Sequence, residues 1–96
     1  EACRLISEFV GGGKPYMVSY VNSFDVIYFY KLFSTDSQPC YWLPLDFASM
    51  LFGLGRDPES MDQLAAELGI DTGSYVKHNA LDDARLLRDV YARMKV

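Results

Sequence analysis

The sequence predicts an α/β fold with an unusually small sheet. Two short segments rich in aromatic and β-branched residues, 16–21 and 41–45, are typical of strands, and Pro44 keeps the second short or at a sheet edge. Five other segments place apolar residues at helical spacing. Two strands cannot cover five helices, so either the helices form a bundle or strands are missing. The predicted elements, in order, are helix 2–10, strand 16–21, helix 24–33, strand 41–45, helix 47–54, helix 61–69 and helix 80–94.

Breaking and capping residues predict where these helices end. Three consecutive glycines, Gly11 to Gly13, end the first helix, and Pro15 prevents it from resuming. Short polar side chains at the other boundaries are typical of helix N-caps, because they accept hydrogen bonds from free backbone N–H groups. The predicted caps are Asn22 or Ser23 for helix 24–33, Asp46 for helix 47–54, Ser60 with Gln63 for helix 61–69, and Asn79 with Asp82 for helix 80–94.

Length and charge exclude several classes of protein. The 96 residues fit one small domain, and half of them are apolar while 23% are charged, which excludes a disordered tail. No apolar run approaches the roughly 20 residues of a membrane span, so we expect no membrane contact. The net charge of −4 excludes a broad basic surface for duplex nucleic acid, so any nucleic-acid contact is local or carried by metal ions.

The two cysteines indicate the compartment rather than a metal site. Cys3 and Cys40 have no CxxC or Cys/His spacing, which argues against a zinc site. A single disulfide is possible, but two buried thiols in an intracellular protein fit the apolar surroundings better. We therefore expect a cytoplasmic protein.

A histidine and several carboxylates lie where two predicted helices begin. His78 is the only histidine and precedes Asp82 and Asp83, which fall in the first turn of the last helix. Asp25 lies in the first turn of the helix that follows a buried strand, and sites in α/β sheets gather at strand ends. Helix N-termini favour ionised carboxylates, the form that a hard cation needs. The plain alternative is that all three acids simply complement helix dipoles.

The segment HNALDDA followed by RLLRDVYARM resembles the third motif of the DEDDh 3′-to-5′ exonucleases, enzymes of the ribonuclease-H-like fold. That motif is a histidine, four residues and an aspartate, met here by His78 and Asp83. The stretch VSYVNSFDVIYFYKLF is similar to their second motif, with Phe24-Asp25 at the start of a helix. PLDFASMLFG and MDQLAAELGI resemble the elements between the two motifs. The resemblance runs in the right order from Lys14 to Met94.

The resemblance implies a two-metal site for Mg²⁺ or Mn²⁺, in which four carboxylates hold the ions. Asp25 and Asp83 would be metal ligands, and His78 would be the general base that deprotonates the attacking water. Phe24 and Asn22 would contact the substrate, the 3′ end of a single-stranded DNA or RNA; the choice between DNA and RNA stays open. Four aromatic residues offer stacking surface or belong to the core: Tyr16, Tyr20, Phe24 and Tyr28.

The first motif of that family, Asp-x-Glu on an opening strand, has no counterpart here. The one Asp-x-Glu, Asp57-Pro58-Glu59, falls in a predicted loop, where Pro58 argues against a strand. The fold we expect is therefore a ribonuclease-H-like exonuclease domain truncated at its N-terminal three strands, with residues 1–96 as its C-terminal part and Glu1 at the cut. Such a chain is expected to be inactive by itself and to bind divalent ions weakly. Its oligomeric state is left open.

Two other hypotheses fit the same sequence. A non-catalytic α/β interaction domain would retain the fold without a complete site. A small helical bundle of unrelated function would be supported if residues 16–21 were helical.

Overall fold

The computed structural model describes residues 1–76 and 78–94, in which helices alternate with two short strands. An α/β order is therefore present, as the sequence predicts. The chain divides into two compact units, Glu1–Met50 and Leu51–Val96. The elements are α1 (Ala2–Val10), β1 (Val18–Ser19), α2 (Asn22–Leu32), β2 (Leu45–Asp46), α3 (Phe47–Gly53), α4 (Met61–Glu67), a 3-10 turn (Thr72–Ser74) and α5 (Ala80–Met94).

The two strands of the first unit are parallel and are joined through α2. Val18 pairs with Leu45, and Ser19 pairs with Asp46. Both strands are shorter than predicted, although the Tyr41 N–H still bonds the Pro15 carbonyl at 2.9 Å. Pro44, which has no N–H to donate, directly precedes β2 and limits the regular ladder. Residues 16–21 are not helical, so the observation that would have supported a helical bundle is not made.

Helix α2 has one buried and one exposed face, both apolar. Val26 and Phe33 are buried, and the Phe33 ring lies 5.0 Å from that of Phe29. On the opposite face, Phe24 is 67% exposed and Tyr28 is 71% exposed. A helix that is apolar all round is normally buried, so this face stands out as an exposed aromatic surface.

The second unit has a small core of its own. Polar contacts fasten its elements: an Arg93 guanidinium N–H donates to the Leu68 carbonyl at 2.7 Å, and the Tyr75 hydroxyl donates to the Asp89 carboxylate at 2.5 Å. Hydrogen bonds from Arg88 and from Tyr75 hold the pKa of Asp89 below its usual range. The buried apolar residues of this unit are Leu51, Leu64, Ala65, Ile70 and Val90.

The predicted cap at Asp46 is confirmed, and the predicted capping box of Asn79 with Asp82 is confirmed for the Asn79 side chain only. Among the described residues its reciprocal bond is absent, because the Asn79 N–H donates to the Val76 carbonyl. Asp46 accepts the Ser49 N–H at the start of α3 at 2.9 Å, and the Asn79 side chain accepts the Asp82 N–H at the start of α5 at 3.1 Å. Both side chains sit three residues before the N–H that they accept, which is the standard N-cap spacing.

Another predicted cap is wrong, and a fourth is confirmed in position only. Helix α2 begins at Asn22 with Val21 as N-cap, because a carboxylate from the neighbouring strand takes the Asn22 N–H. Ser60 does precede α4 but forms no capping box with Gln63. Ser60 is the N-cap residue of α4 in position, and its hydroxyl donates to the Asp57 carboxylate at 2.8 Å.

Both cysteine thiols are free. Cys40 is buried, and burial raises the pKa of its thiol. Cys3 is half-buried and donates to the Leu32 carbonyl at 3.1 Å, which links α1 to the end of α2. Within the described part of the chain, no helix has the length and apolar character that crossing a membrane requires.

Candidate functional site

The candidate site in the first unit is built by the two strand-to-helix steps. Because β1 and β2 are parallel, both strands reach their helices at the same edge of the pair. β1 ends at Ser19, three residues before α2 begins, while β2 runs directly into α3. Polar side chains therefore collect at this edge, which is where α/β proteins place their sites.

Asp25 lies in the first turn of α2 and is exposed to solvent. Among residues 1–76 and 78–94, no hydrogen bond or ion pair engages its carboxylate. Its neighbour Phe24, the other half of the predicted motif, exposes 67% of its surface. The predicted metal ligand thus has its oxygens uncommitted, beside an aromatic ring open to solvent.

The hydrogen bonds of Asn22 limit which of its groups could contact a substrate. It is half-buried, and its side-chain oxygen accepts a hydrogen bond from the buried Ser19 hydroxyl. Its backbone N–H donates to the Asp46 carboxylate at 2.6 Å. Only the amide NH₂ group could therefore serve the substrate role predicted for Asn22.

Asp46 connects the two strand-to-helix steps. The sequence predicted it only as the N-cap of α3. One carboxylate oxygen accepts the Asn22 N–H, and the other accepts the Ser49 N–H and, at 2.6 Å, the Ser49 hydroxyl. Burial disfavours the charged form, but the hydrogen bonds from Ser49 and Asn22 outweigh it and hold the pKa of Asp46 below its usual range. The signal in the sequence was its place after a strand and before a helix.

His78 lies in the second unit, in the turn that leads into α5. The Asn79 N–H closes this turn on the Val76 carbonyl at 3.3 Å. His78 is exposed and has a φ of 63°, in the left-handed region that a branched or bulky residue rarely adopts. Strained backbone of this kind is concentrated at functional sites.

The two adjacent acids at the start of α5 have different roles. Asp82 accepts the Val76 N–H at 2.8 Å and pairs with Arg85 at 3.5 Å, so its carboxylate holds the turn that contains His78. Asp83 is exposed, and within residues 1–76 and 78–94 its carboxylate makes no hydrogen bond or ion pair. The structure thus leaves Asp83, and not Asp82, uncommitted.

Asp57-Pro58-Glu59 is a turn, as predicted, and not a strand. The two oxygens of Asp57 accept the Glu59 N–H at 2.9 Å and the Ser60 hydroxyl. These hydrogen bonds lower the pKa of Asp57, the bond from Glu59 most. This carboxylate is occupied in forming the turn and does not replace the first motif.

The predicted residues fall into both units: Asp25, Phe24 and Asn22 in the first, His78 and Asp83 in the second. Within residues 1–76 and 78–94, no three metal-binding side chains form a group.

A polar cleft in the second unit was not predicted. Its volume is about 390 Å³, and Tyr75, Asp89 and Arg93 are among its lining residues. Tyr75 donates to Asp89, which also accepts from Arg88, and Arg93 donates to the Leu68 carbonyl. The side chains that line the cleft therefore hold the elements of the second unit together.

Comparison with protein-family models, with curated proteins and with solved structures finds no match to this chain.

Proposed function

We propose that the chain is the C-terminal part of a metal-dependent 3′-to-5′ exonuclease domain of the DEDDh type. The substrate would be the 3′ end of a single-stranded DNA or RNA, and the bond hydrolysed its last phosphodiester. One observation carries this proposal: Asp25 stands at the carboxyl end of a parallel strand pair with its carboxylate uncommitted and an exposed Phe24 beside it.

The donor set suits a hard divalent cation. Asp25 and Asp83 offer only carboxylate oxygens, the ligands that Mg²⁺ and Mn²⁺ prefer. Each lies in the first turn of a helix, at the end where the helix dipole attracts negative charge. When bound, divalent ions lower the pKa of the attacking water and stabilise charge on the leaving 3′ oxygen. Asp25 and Asp83 would hold them.

His78 would accept the proton of the attacking water. An imidazole nitrogen can accept a proton and later release it, which is what a general base requires. Its exposure leaves the ring accessible to substrate, and the Asp82 bond to the Val76 N–H fixes the turn that carries it.

The exposed face of α2 suits single-stranded bases. Phe24 and Tyr28 are one helical turn apart, and both rings are largely exposed. The Lys31 ammonium lies 6.0 Å from the Tyr28 ring centre and adds a positive charge for phosphate. Base stacking on aromatic rings tolerates any sequence, as an exonuclease requires.

This chain alone would have little activity, because it lacks the two acids of the first motif that would bridge both ions. We expect Mn²⁺ to bind weakly, with a Kd near millimolar, and to broaden the NMR signals of residues around Asp25 and Asp83. Asp25→Asn should remove the broadening around position 25 and leave that around Asp83 intact. Asp36→Asn, which changes another exposed acid of the first unit, should alter neither.

Two tight Mg²⁺ sites in this chain would contradict the proposal, since its two uncommitted acids cannot supply them. Broadening that is unchanged in Asp25→Asn would remove Asp25 from the metal site.

A non-catalytic interaction domain is the second candidate, and the exposed aromatic residues of the first unit favour it. Phe9 is 91% exposed and Trp42 is 68% exposed, and neither residue is adjacent in sequence to a predicted metal ligand. The two candidates differ in the full-length protein: an Asp-x-Glu on a strand before these residues supports the exonuclease, and its absence supports the interaction domain.

A further inference from the structure

We infer that Asp46 is a positioning residue for the first turn of α2, the turn that carries Asn22 and Asp25. The inference rests on the proposed function only for the role of Asp25. That Asp46 fixes the start of α2 stands on its own contacts.

The two oxygens of Asp46 serve two different helices. Oδ1 accepts the backbone N–H of Asn22, the first residue of α2, at 2.6 Å. Oδ2 accepts the backbone N–H of Ser49 at 2.9 Å and its hydroxyl at 2.6 Å, within the first turn of α3. Asp46, at the end of β2, is therefore bonded both to α3, which follows β2, and to α2, which follows β1.

A carboxylate is the side chain that this arrangement needs. Asparagine has one acceptor oxygen, so it could not present a separate acceptor to each helix. The negative charge also lies at the N-termini of both helices, where the dipoles stabilise it. Burial of Asp46 opposes its negative charge, and these hydrogen bonds outweigh that effect and hold the pKa of Asp46 below its usual range.

The bond to Asn22 fixes the direction in which Asp25 projects. Asn22 and Asp25 are three residues apart, so they lie on the same side of α2 within one turn. The Phe24 and Asp25 N–H groups bond the Val21 carbonyl at 3.1 and 3.5 Å, both longer than the bond from Asn22 to Asp46. The Asp46 bond and the Ser19–Asn22 side-chain bond therefore add to the helix's own hydrogen bonds in holding this turn.

The test is Asp46→Ala, with Ser49→Ala as the matched control. Ser49→Ala removes only the hydroxyl bond on the α3 side and leaves the Asn22 bond in place. The first measurement is amide hydrogen exchange at Phe24 and Asp25, whose N–H groups do not bond Asp46 and so report the turn rather than the lost bond. The second is Mn²⁺ broadening around Asp25, with the broadening around Asp83 as an internal reference for general destabilisation.

We expect Asp46→Ala to speed exchange at Phe24 and Asp25 roughly tenfold, and to weaken Mn²⁺ binding at Asp25 about tenfold relative to Asp83. Asp46→Asn should keep one of the two helix contacts and show a smaller effect. Ser49→Ala should leave both measurements close to wild type.

Unchanged exchange at Phe24 and Asp25 in Asp46→Ala, with the chain still folded, would overturn the inference. So would an equal effect of Ser49→Ala, because Asp46 would then act only through α3. If the wild-type chain shows no Mn²⁺ broadening at Asp25, the proposed metal role fails instead, and the exchange data still decide the role of Asp46.

Discussion

His78→Asn in the full-length protein is expected to lower the exonuclease kcat about 10²–10⁴-fold, the usual loss when a general base is removed. KM should change little, because the imidazole acts on the attacking water and not on substrate binding. The measurement is the rate of nucleotide release from a labelled single-stranded oligonucleotide in Mn²⁺ under saturating substrate.

Asparagine is the informative replacement because of the backbone at this position. His78 has a φ of 63°, and after glycine asparagine tolerates this region best. His78→Ala would keep the strain and remove the ring, so a loss of activity could reflect a displaced turn. Glu59→Gln, a change at another exposed loop residue of the second unit, is the control and should retain full activity. Full activity in His78→Asn would show that His78 is not the base.

Leu51→Ala is expected to destabilise the chain by about 2–5 kcal/mol. Leu51 lies in α3 and is completely buried, so the substitution leaves a cavity in addition to losing apolar contact. Alanine favours helix at least as well as leucine, so the loss reflects packing and not helix propensity. Since a domain of this size is stable by only about 5–15 kcal/mol, the variant would lose a large share of its stability.

Urea unfolding followed by circular dichroism measures this loss. Leu54→Ala is the matched control, because Leu54 is close in sequence but 67% exposed, and we expect its effect to stay within about 0.5 kcal/mol. Equal effects of the two substitutions would contradict the placement of Leu51 in the core.

Local patterns predicted the helices well and the strands less well. Periodicity and glycine located α1 and α5 to within a residue, because those signals are local. The strands β1 and β2 proved shorter than their β-rich segments, since a strand depends on a partner distant in sequence and prolines interrupt that pairing.

A contact between distant residues explains the wrong cap of α2. The start of α2 depends on Asp46, 24 residues away, and no local pattern around Asn22 and Ser23 contains that carboxylate.

The sequence predicted which residues belong to the candidate site, but not which of their side chains are exposed or already hydrogen-bonded. The sequence placed Asp82 and Asp83 together, and only the contacts of Asp82 with Val76 and Arg85 distinguish the structural acid from the uncommitted one. The left-handed φ of His78 and the exposure of Phe24 and Tyr28 are likewise properties of the folded chain. A high aromatic content alone favours the core, and α2 exposes these rings instead.

The central claim is the proposed metal-dependent activity at nucleic-acid 3′ ends, for which Asp25 and Asp83 would be metal ligands and His78 the general base. The most direct measurement incubates the full-length protein with a 5′-labelled single-stranded oligonucleotide in Mn²⁺, with EDTA in a parallel reaction. The account predicts a ladder of products that shorten one nucleotide at a time from the 3′ end, abolished by EDTA and by Asp83→Asn. An oligonucleotide that stays intact in Mn²⁺, or is degraded equally in EDTA, would contradict it.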